Sequence, residues 1–168
     1  MNHLIKNKDT ADFMDEALSL IEQNPVELHL DPYSSDPHMD YERIEYRASE
    51  RLNVWARWDG GGPHGEGAGW DYGAQIYEYI NGVKAGDGRG LSTYMNDREK
   101  QEALKYIGVA IESKYLQDTP EESRTYRFMA NPASEYCHCG SVLYLRKGEQ
   151  KQILDGLAAY KRDKLQKS

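Results

Sequence analysis

The chain has 168 residues and a formal net charge of −7, with 39% hydrophobic and 29% charged residues. This length suits one ordinary domain, and the composition is that of a globular protein rather than a disordered or membrane-embedded one. We therefore expect residues 1–168 to form a single domain. The negative charge argues against a chain-wide basic footprint, so direct binding of nucleic acid is not expected.

The charge is unevenly distributed along the chain. Residues 1–50 carry twelve acidic and four basic side chains, a net of −8, whereas residues 143–168 carry three and seven, a net of +4. An acidic first third repels phosphates and attracts basic surfaces. Thirteen Tyr and three Trp add polar-tipped aromatic side chains that suit a contact surface. The alternative is that the acidic charge of the first third serves only solubility.

The first ten residues hold no apolar run of the length of a signal peptide, and no stretch approaches the ~20 apolar residues of a membrane span. We therefore expect a cytoplasmic protein with no membrane contact. In a reducing compartment, Cys137 and Cys139 are expected to be free thiols.

A first helix is predicted over residues 9–23, where apolar side chains recur at helical spacing. Either Asp9 or Thr10 can cap its first turn through a side-chain oxygen. The dipeptide Asn24-Pro25 ends the helix, because the residue before proline disfavours helical geometry. The side chains expected to face the core are Phe13, Ala17, Leu20 and Ile21.

Alternation of apolar and polar side chains predicts strands next. Residues 26–30 read as a half-buried strand, and residues 31–40 as a loop rich in proline, serine and aspartate. Residues 44–48 and 52–58 alternate in the same way, which predicts a hairpin or one long strand with a bulge.

The glycine-rich segment 59–73 holds seven of the fifteen glycines and is predicted to be a loop. It is either a mobile flap or a site lined by backbone. A helix is predicted over residues 74–83, and a second glycine-rich loop over residues 85–90. Asn96 and Glu99 resemble a capping box that starts a helix over residues 97–116.

Residues 124–130 and 136–146 are predicted to be strands, and residues 149–165 a last helix whose basic end covers residues 161–168. Those bases either complement the helix C-terminus or touch an acidic partner. Consecutive strands without intervening helices indicate antiparallel pairing. We therefore expect an α+β fold with an antiparallel sheet of about five strands and about four helices.

His64, Glu66 and Asp71 lie in or beside the glycine-rich loop. A histidine near carboxylates can act as a general base or take a metal ion, and loops on rigid elements often carry catalytic groups. The spacing matches no ligand or nucleophile pattern, so a solvent-exposed loop is the alternative. The glycines fit neither the phosphate-binding loop pattern nor a dinucleotide fingerprint, and no cofactor is expected.

The run Cys137-His138-Cys139-Gly140-Ser141 resembles the first half of the SEC-C zinc motif. In that family a second pair of ligands follows shortly downstream, whereas here the next eleven residues hold no Cys or His. Two thiolates do not close a tetrahedral zinc site. The resemblance therefore makes Cys137 and Cys139 weak metal candidates, and two half-buried thiols on a strand are the alternative.

Aromatic side chains flank the glycine-rich loop, and the predicted binding residues are Trp55, Trp70, Tyr72 and Tyr77. Exposed Trp and Tyr are common anchors of interfaces. Burial of the same rings in the core is the alternative.

Three functional hypotheses follow. The first is an acidic protein that binds another protein through its N-terminal third and an aromatic surface, as an inhibitor or regulator of a nucleic-acid-processing enzyme. The second is a small enzyme whose site lies in the loop 60–73. The third is a zinc-stabilised binding module.

Overall fold

The computed structural model of the chain describes residues 5–31, 43–59, 69–92, 97–124 and 149–167. The helices and strands of this part are, in chain order, α1 (Lys8–Gln23), β1 (Val26–Asp31), β2 (Arg43–Ala48), β3 (Leu52–Asp59), β4 (Gly69–Ile80), β5 (Val83–Ser92), α2 (Arg98–Asp118) and α3 (Glu149–Lys167). A short 3-10 turn, Glu121–Ser123, follows α2.

The five strands form one sheet in the order β1-β2-β3-β4-β5, and each neighbouring pair is antiparallel. The α+β class and the five-stranded antiparallel sheet are therefore confirmed. The described residues contain three α-helices rather than about four. The strands predicted over residues 124–130 and 136–146 lie outside the described residues, except for Arg124, which is in neither a helix nor a strand.

The helix predicted over residues 74–83 is wrong, because this segment belongs to β4 and the start of β5. Residues 85–90, predicted as a loop, form the middle of β5. The ends of the predicted loop 59–73 are strand as well, since Asp59 closes β3 and Gly69 opens β4.

The hairpin of β4 and β5 has a local cause in the dipeptide Asn81-Gly82. Both residues have positive φ, 52° and 81°, as a two-residue type I′ turn requires. Before the turn, every second residue of β4 from Tyr72 to Ile76 is buried, which is the strand period of two. Ile76 and Ile80 also satisfy helical spacing, so the apolar pattern alone was ambiguous.

The two long helices begin at capping residues other than those predicted. Asn7 caps α1 and accepts a hydrogen bond from the Thr10 backbone N–H at 3.1 Å. Asp97 caps α2, and the Glu99 carboxylate instead accepts hydrogen bonds from the backbone N–H groups of Lys6 and Asn7. The start of α2 therefore also fixes the chain that leads into α1.

The core lies between one face of the sheet and the helices. The predicted core residues of α1 are all buried, as are Leu104, Ile107, Ile111 and Tyr115 of α2 and Ile153, Leu157 and Tyr160 of α3. The sheet contributes Ile44, Tyr46, Ala48, Leu52, Val54, Ala56, Tyr72, Ala74, Ile76 and Leu91. None of the helices in the described segments is long and apolar enough to cross a membrane.

Candidate functional site

The sheet face opposite the helices, which we call the outer face, carries polar and aromatic side chains on alternate residues. Their neighbours along each strand point into the core, so the alternation follows from strand geometry. The register aligns the outer-face residues in two cross-strand rows, His29-Glu45-Trp55-Gly73 and Glu27-Arg47-Asn53-Gln75.

Glu45 holds two arginines on the outer face, although its own exposed fraction is only 7%. Its Oε1 accepts a hydrogen bond from Arg43 Nε, and its Oε2 accepts one from Arg47 Nε at 3.0 Å. Burial by itself would raise the pKa of Glu45, but the hydrogen bond from Arg47 and the charges of both arginines outweigh it and hold the pKa below its ordinary value. Two guanidinium groups are thereby fixed on the surface.

The Trp55 ring lies over Gly73 on the neighbouring strand. A Cβ atom added to Gly73 would lie 2.7 Å from Trp55 Cε2 and 2.9 Å from the Leu91 carbonyl oxygen, so only glycine leaves room for the ring. Arg43 stacks on the same indole, with its Cζ 5.2 Å from the ring centroid. Trp55 itself is half-buried.

Asn53 lies in the next row and has an unusual environment. Only 7% of Asn53 is exposed, and within the described part of the chain its Oδ1 has no hydrogen-bond partner. Its register partners are Arg47 and Gln75, of which Arg47 is already bound by the carboxylate described above. Gln75 donates to the Asp87 carbonyl and accepts from Tyr77 Oη at 3.1 Å. Both neighbours are therefore engaged elsewhere.

A cavity of about 510 Å³ opens over this part of the outer face, with Asn53 in its lining. Tyr77 also lines it, and Lys84 Nζ lies 4.1 Å from the Tyr77 ring centroid. Apart from His29, the lining holds three acidic and three basic residues, which are Glu27, Glu45, Glu50, Arg43, Arg47 and Lys84. Their formal charges cancel.

The structure brings two of the four predicted binding residues to the outer face, Trp55 and Tyr77. Tyr72 is only 1% exposed, because it occupies an inward position of β4, and its ring belongs to the core. The backbone of Trp70 pairs with that of Trp58, and the Trp70 side chain lies outside the described part.

Of the three predicted catalytic residues, only Asp71 lies in the described part. It occupies β4 opposite Arg57, whose Nη2 lies 3.6 Å from its Oδ2. His64 and Glu66 lie outside the described residues, so the catalytic-loop hypothesis stays a prediction. The same holds for zinc binding by Cys137 and Cys139. Among the described residues, no three His, Cys, Asp or Glu side chains are placed to share a metal ion.

The acidic first third and the basic last helix contact each other. Lys164 Nζ lies 2.7 Å from Asp15 Oδ2, and Lys161 pairs with Glu22. Further acids of the first third form ion pairs within the chain, namely Asp12 with Lys8, Glu16 with Arg51 and Arg89, and Glu45 with Arg43 and Arg47. Much of the acidic charge therefore already has a partner inside the molecule.

Sequence reasoning missed Asn53 and Glu45. The alternation that predicts strand β2 also puts Glu45 between two arginines on one face. That signal could have been used, because a carboxylate with an arginine two residues away on each side of a strand can form ion pairs with both arginines. The role of Asn53 depends on the register with β2 and β4, which one sequence does not give.

The fold and this surface define a small α+β protein with a five-stranded antiparallel meander and a polar, aromatic outer face. Comparisons with protein-family models, with curated proteins and with solved structures find no match for the chain.

Proposed function

We propose that the chain binds another protein through the outer face of its sheet, with Trp55, Arg43 and Tyr77 as anchors. The observation that carries this proposal is the stacking of Arg43 on the half-buried Trp55 ring, on the sheet face opposite the helices. Tyr, Trp and Arg are the residue types most enriched at interface hot spots.

The arrangement of these side chains also supports the proposal. Glu45 fixes Arg43 and Arg47, and Gln75 accepts from the Tyr77 hydroxyl. Side chains that are already ordered lose less conformational entropy when a partner arrives, and each long side chain ordered on binding costs about 1 kcal/mol. The outer face is therefore organised before binding.

A narrower form of the proposal makes the partner a nucleic-acid-processing enzyme that the chain inhibits or regulates. The net charge of −7 supports it, because such enzymes present basic surfaces to their substrates. Its test is the addition of the purified chain to nuclease, polymerase and helicase assays in an extract of the source cells. Inhibition that disappears in Trp55→Ala supports this form, and unchanged activity in all three assays contradicts it.

The binding proposal is tested by photo-crosslinking in the source cells. A photoreactive phenylalanine replaces Tyr79 on the outer face or, as a control, the exposed Gln152 on α3. We expect one protein to crosslink from position 79 and not from position 152. The same crosslink should be lost in Trp55→Ala and kept in Leu154→Ala, which truncates an exposed apolar side chain on α3.

Equal crosslinking from positions 79 and 152 would show that the outer face is not selective. Crosslinking that survives Trp55→Ala would show that the indole is not an anchor. Either result overturns the proposal that the outer face binds a partner through these anchors.

A further inference from the structure

We propose that Arg43 and Arg47 on the outer face receive a carboxylate, the side chain of an Asp or Glu of the partner protein. This inference rests on the proposed function and adds the chemistry of the group that the partner presents. The oxygens of the incoming carboxylate accept hydrogen bonds from the guanidinium N–H groups that are not bound to Glu45.

The two arginine side chains are open to solvent, whereas the carboxylate that holds them is not. The side chain of Arg43 is 32% exposed and that of Arg47 is 46% exposed, but that of Glu45 is only 9% exposed. Both arginines line the outer-face cavity of about 510 Å³. An incoming group therefore meets the arginines first, and the negative charge of Glu45 lies deeper in the surface.

Glu45 engages only part of each guanidinium group. Arg43 donates to Glu45 from Nε at 2.5 Å, and Arg47 donates from Nε at 3.0 Å and from Nη2. A guanidinium group has five N–H donors, so Glu45 uses neither Nη atom of Arg43 and leaves Nη1 of Arg47 unused. The two Nη groups at the end of an arginine match the two oxygens of a carboxylate, which is the geometry of a bidentate ion pair.

Arg43 is oriented from two sides before a partner arrives. Its Nε is bound to Glu45 Oε1, and its guanidinium plane stacks on the Trp55 indole, with Cζ 5.2 Å from the ring centroid. A side chain that is ordered before binding loses less conformational entropy when the partner binds. The planar donors of Arg43 are therefore fixed in advance, and a planar acceptor such as a carboxylate suits them.

The local charge favours a single carboxylate. Arg43 and Arg47 carry two positive charges and Glu45 carries one negative charge, so the cluster has a formal charge of +1. One carboxylate neutralises this charge, whereas a phosphate group brings about two negative charges. The chain as a whole has a net charge of −7, which repels a polyanion such as nucleic acid. An uncharged group gains less, because hydrogen bonds to ionised partners are about twice as strong as those between neutral groups.

The test uses acetate as the probe, and its readout is the NMR signals of the arginine Nε–H groups and the Trp55 indole N–H. Acetamide is the uncharged isostere of acetate, inorganic phosphate is the more highly charged alternative, and sodium chloride keeps the ionic strength constant. We expect the Arg43, Arg47 and Trp55 signals to shift with acetate, with half-saturation on the order of 100 mM. Acetamide should produce no saturable shift, and the exposed Arg162 on α3 should show none with acetate.

Variants of Arg43 give an independent readout. Arg43→Gln should abolish the acetate response of the Trp55 indole and lower the yield of the partner crosslink from position 79 by about tenfold. Arg43→Lys keeps the charge but loses the planar pair of donors, so it should lower the yield by about threefold, and it serves if the glutamine variant fails to fold. Arg162→Gln removes the same charge from an exposed position on α3 and should leave both measurements unchanged.

Several results would overturn carboxylate recognition. They are no saturation with acetate, saturation with acetamide at the same concentration, an acetate response at Arg162 equal to that at Arg43, or an unchanged crosslink yield in both Arg43 variants. Tighter binding of phosphate than of acetate would assign the arginines to a phosphate-bearing ligand instead. The proposed function is tested separately, because crosslinking from position 79 that is retained in Arg43→Gln and lost in Trp55→Ala would keep partner binding and reject the carboxylate.

Discussion

The indole of Trp55 covers Gly73 so closely that no side chain fits between them. Gly73→Ala should therefore displace the ring and destabilise the fold by about 1–3 kcal/mol. Urea unfolding gives the free energy, and Trp fluorescence reports the displacement. Because part of the strain comes from the ring, the same substitution should destabilise the fold less in a Trp55→Ala background, where the contact with the Leu91 carbonyl oxygen remains.

Gly90→Ala is the matched control for Gly73→Ala. A Cβ atom at Gly90 would meet only the Ala74 carbonyl oxygen at 3.4 Å and Gln75 Cγ at 3.9 Å, which is ordinary contact. We expect a change within about 0.5 kcal/mol. Equal effects at the two glycines would contradict the ring geometry.

The β4–β5 hairpin is tested by two glycines of β5. Gly86 and Gly88 have φ of 73° and 77°, where any other residue is strained. A Cβ atom at Gly86 meets nothing within 4 Å, whereas one at Gly88 meets the Ile76 carbonyl group, with its carbon at 3.1 Å. Gly86→Ala should destabilise by about 1 kcal/mol and Gly88→Ala by about 3 kcal/mol in thermal unfolding. Similar losses at the two sites would show that the strands do not approach as described.

Acid sensitivity should depend on Glu45. Its pKa is lowered in the folded chain, so its ion pairs stabilise the fold above the ordinary value of 4.5, and this contribution is lost as the pH falls through the folded pKa. We expect Glu45→Gln to reduce the free energy of unfolding at pH 7 by about 1–3 kcal/mol. The difference from the wild type should shrink below pH 4.5.

The control for Glu45→Gln is Glu50→Gln, which removes the same charge from an exposed position in the turn between β2 and β3. Its stability difference from the wild type at pH 7 should be within about 0.5 kcal/mol. A Glu45→Gln curve parallel to the wild type at every pH would exclude the ion-pair contribution.

Alkaline sensitivity should depend on Tyr160. Burial and then the hydrogen bond that its hydroxyl donates to Asp15 raise the pKa of Tyr160 from 10.0 to about 12. A raised pKa means that the stabilisation is complete below pH 10.0 and is lost as the pH rises toward 12. Unfolding measured at several pH values should show this loss in the wild type and not in Tyr160→Phe. The same alkaline loss in both proteins would assign it to other groups.

Much of the fold could be predicted from the sequence. The predictions succeeded where the apolar residues fitted either the helical period of 3.6 or the strand period of 2, but not both. Helices α1, α2 and α3 and strands β1, β2 and β3 lie within two residues of their predicted bounds. The exception is the β4–β5 hairpin, where isoleucines spaced by four satisfy a helix as well as a strand. The dipeptide Asn81-Gly82, which is typical of a two-residue hairpin turn, would have indicated the strands there.

The site was less accessible to sequence reasoning. Trp55 and Tyr77 could be proposed because exposed aromatic residues are common anchors of interfaces. Asn53 could not, because an asparagine in a strand indicates nothing until its cross-strand neighbours are known to be engaged. Its significance is a property of the register, which forms only when distant segments pair.

The glycines of β5 have a further consequence for self-association. In the described part of the chain β5 ends the sheet, and the edge of a sheet can recruit a strand from another molecule. Two glycines with positive φ and an irregular register opposite Tyr77 interrupt the row of hydrogen-bonding groups along this edge. The same residues that make the strand hard to recognise in the sequence thus protect it from edge-to-edge polymerisation.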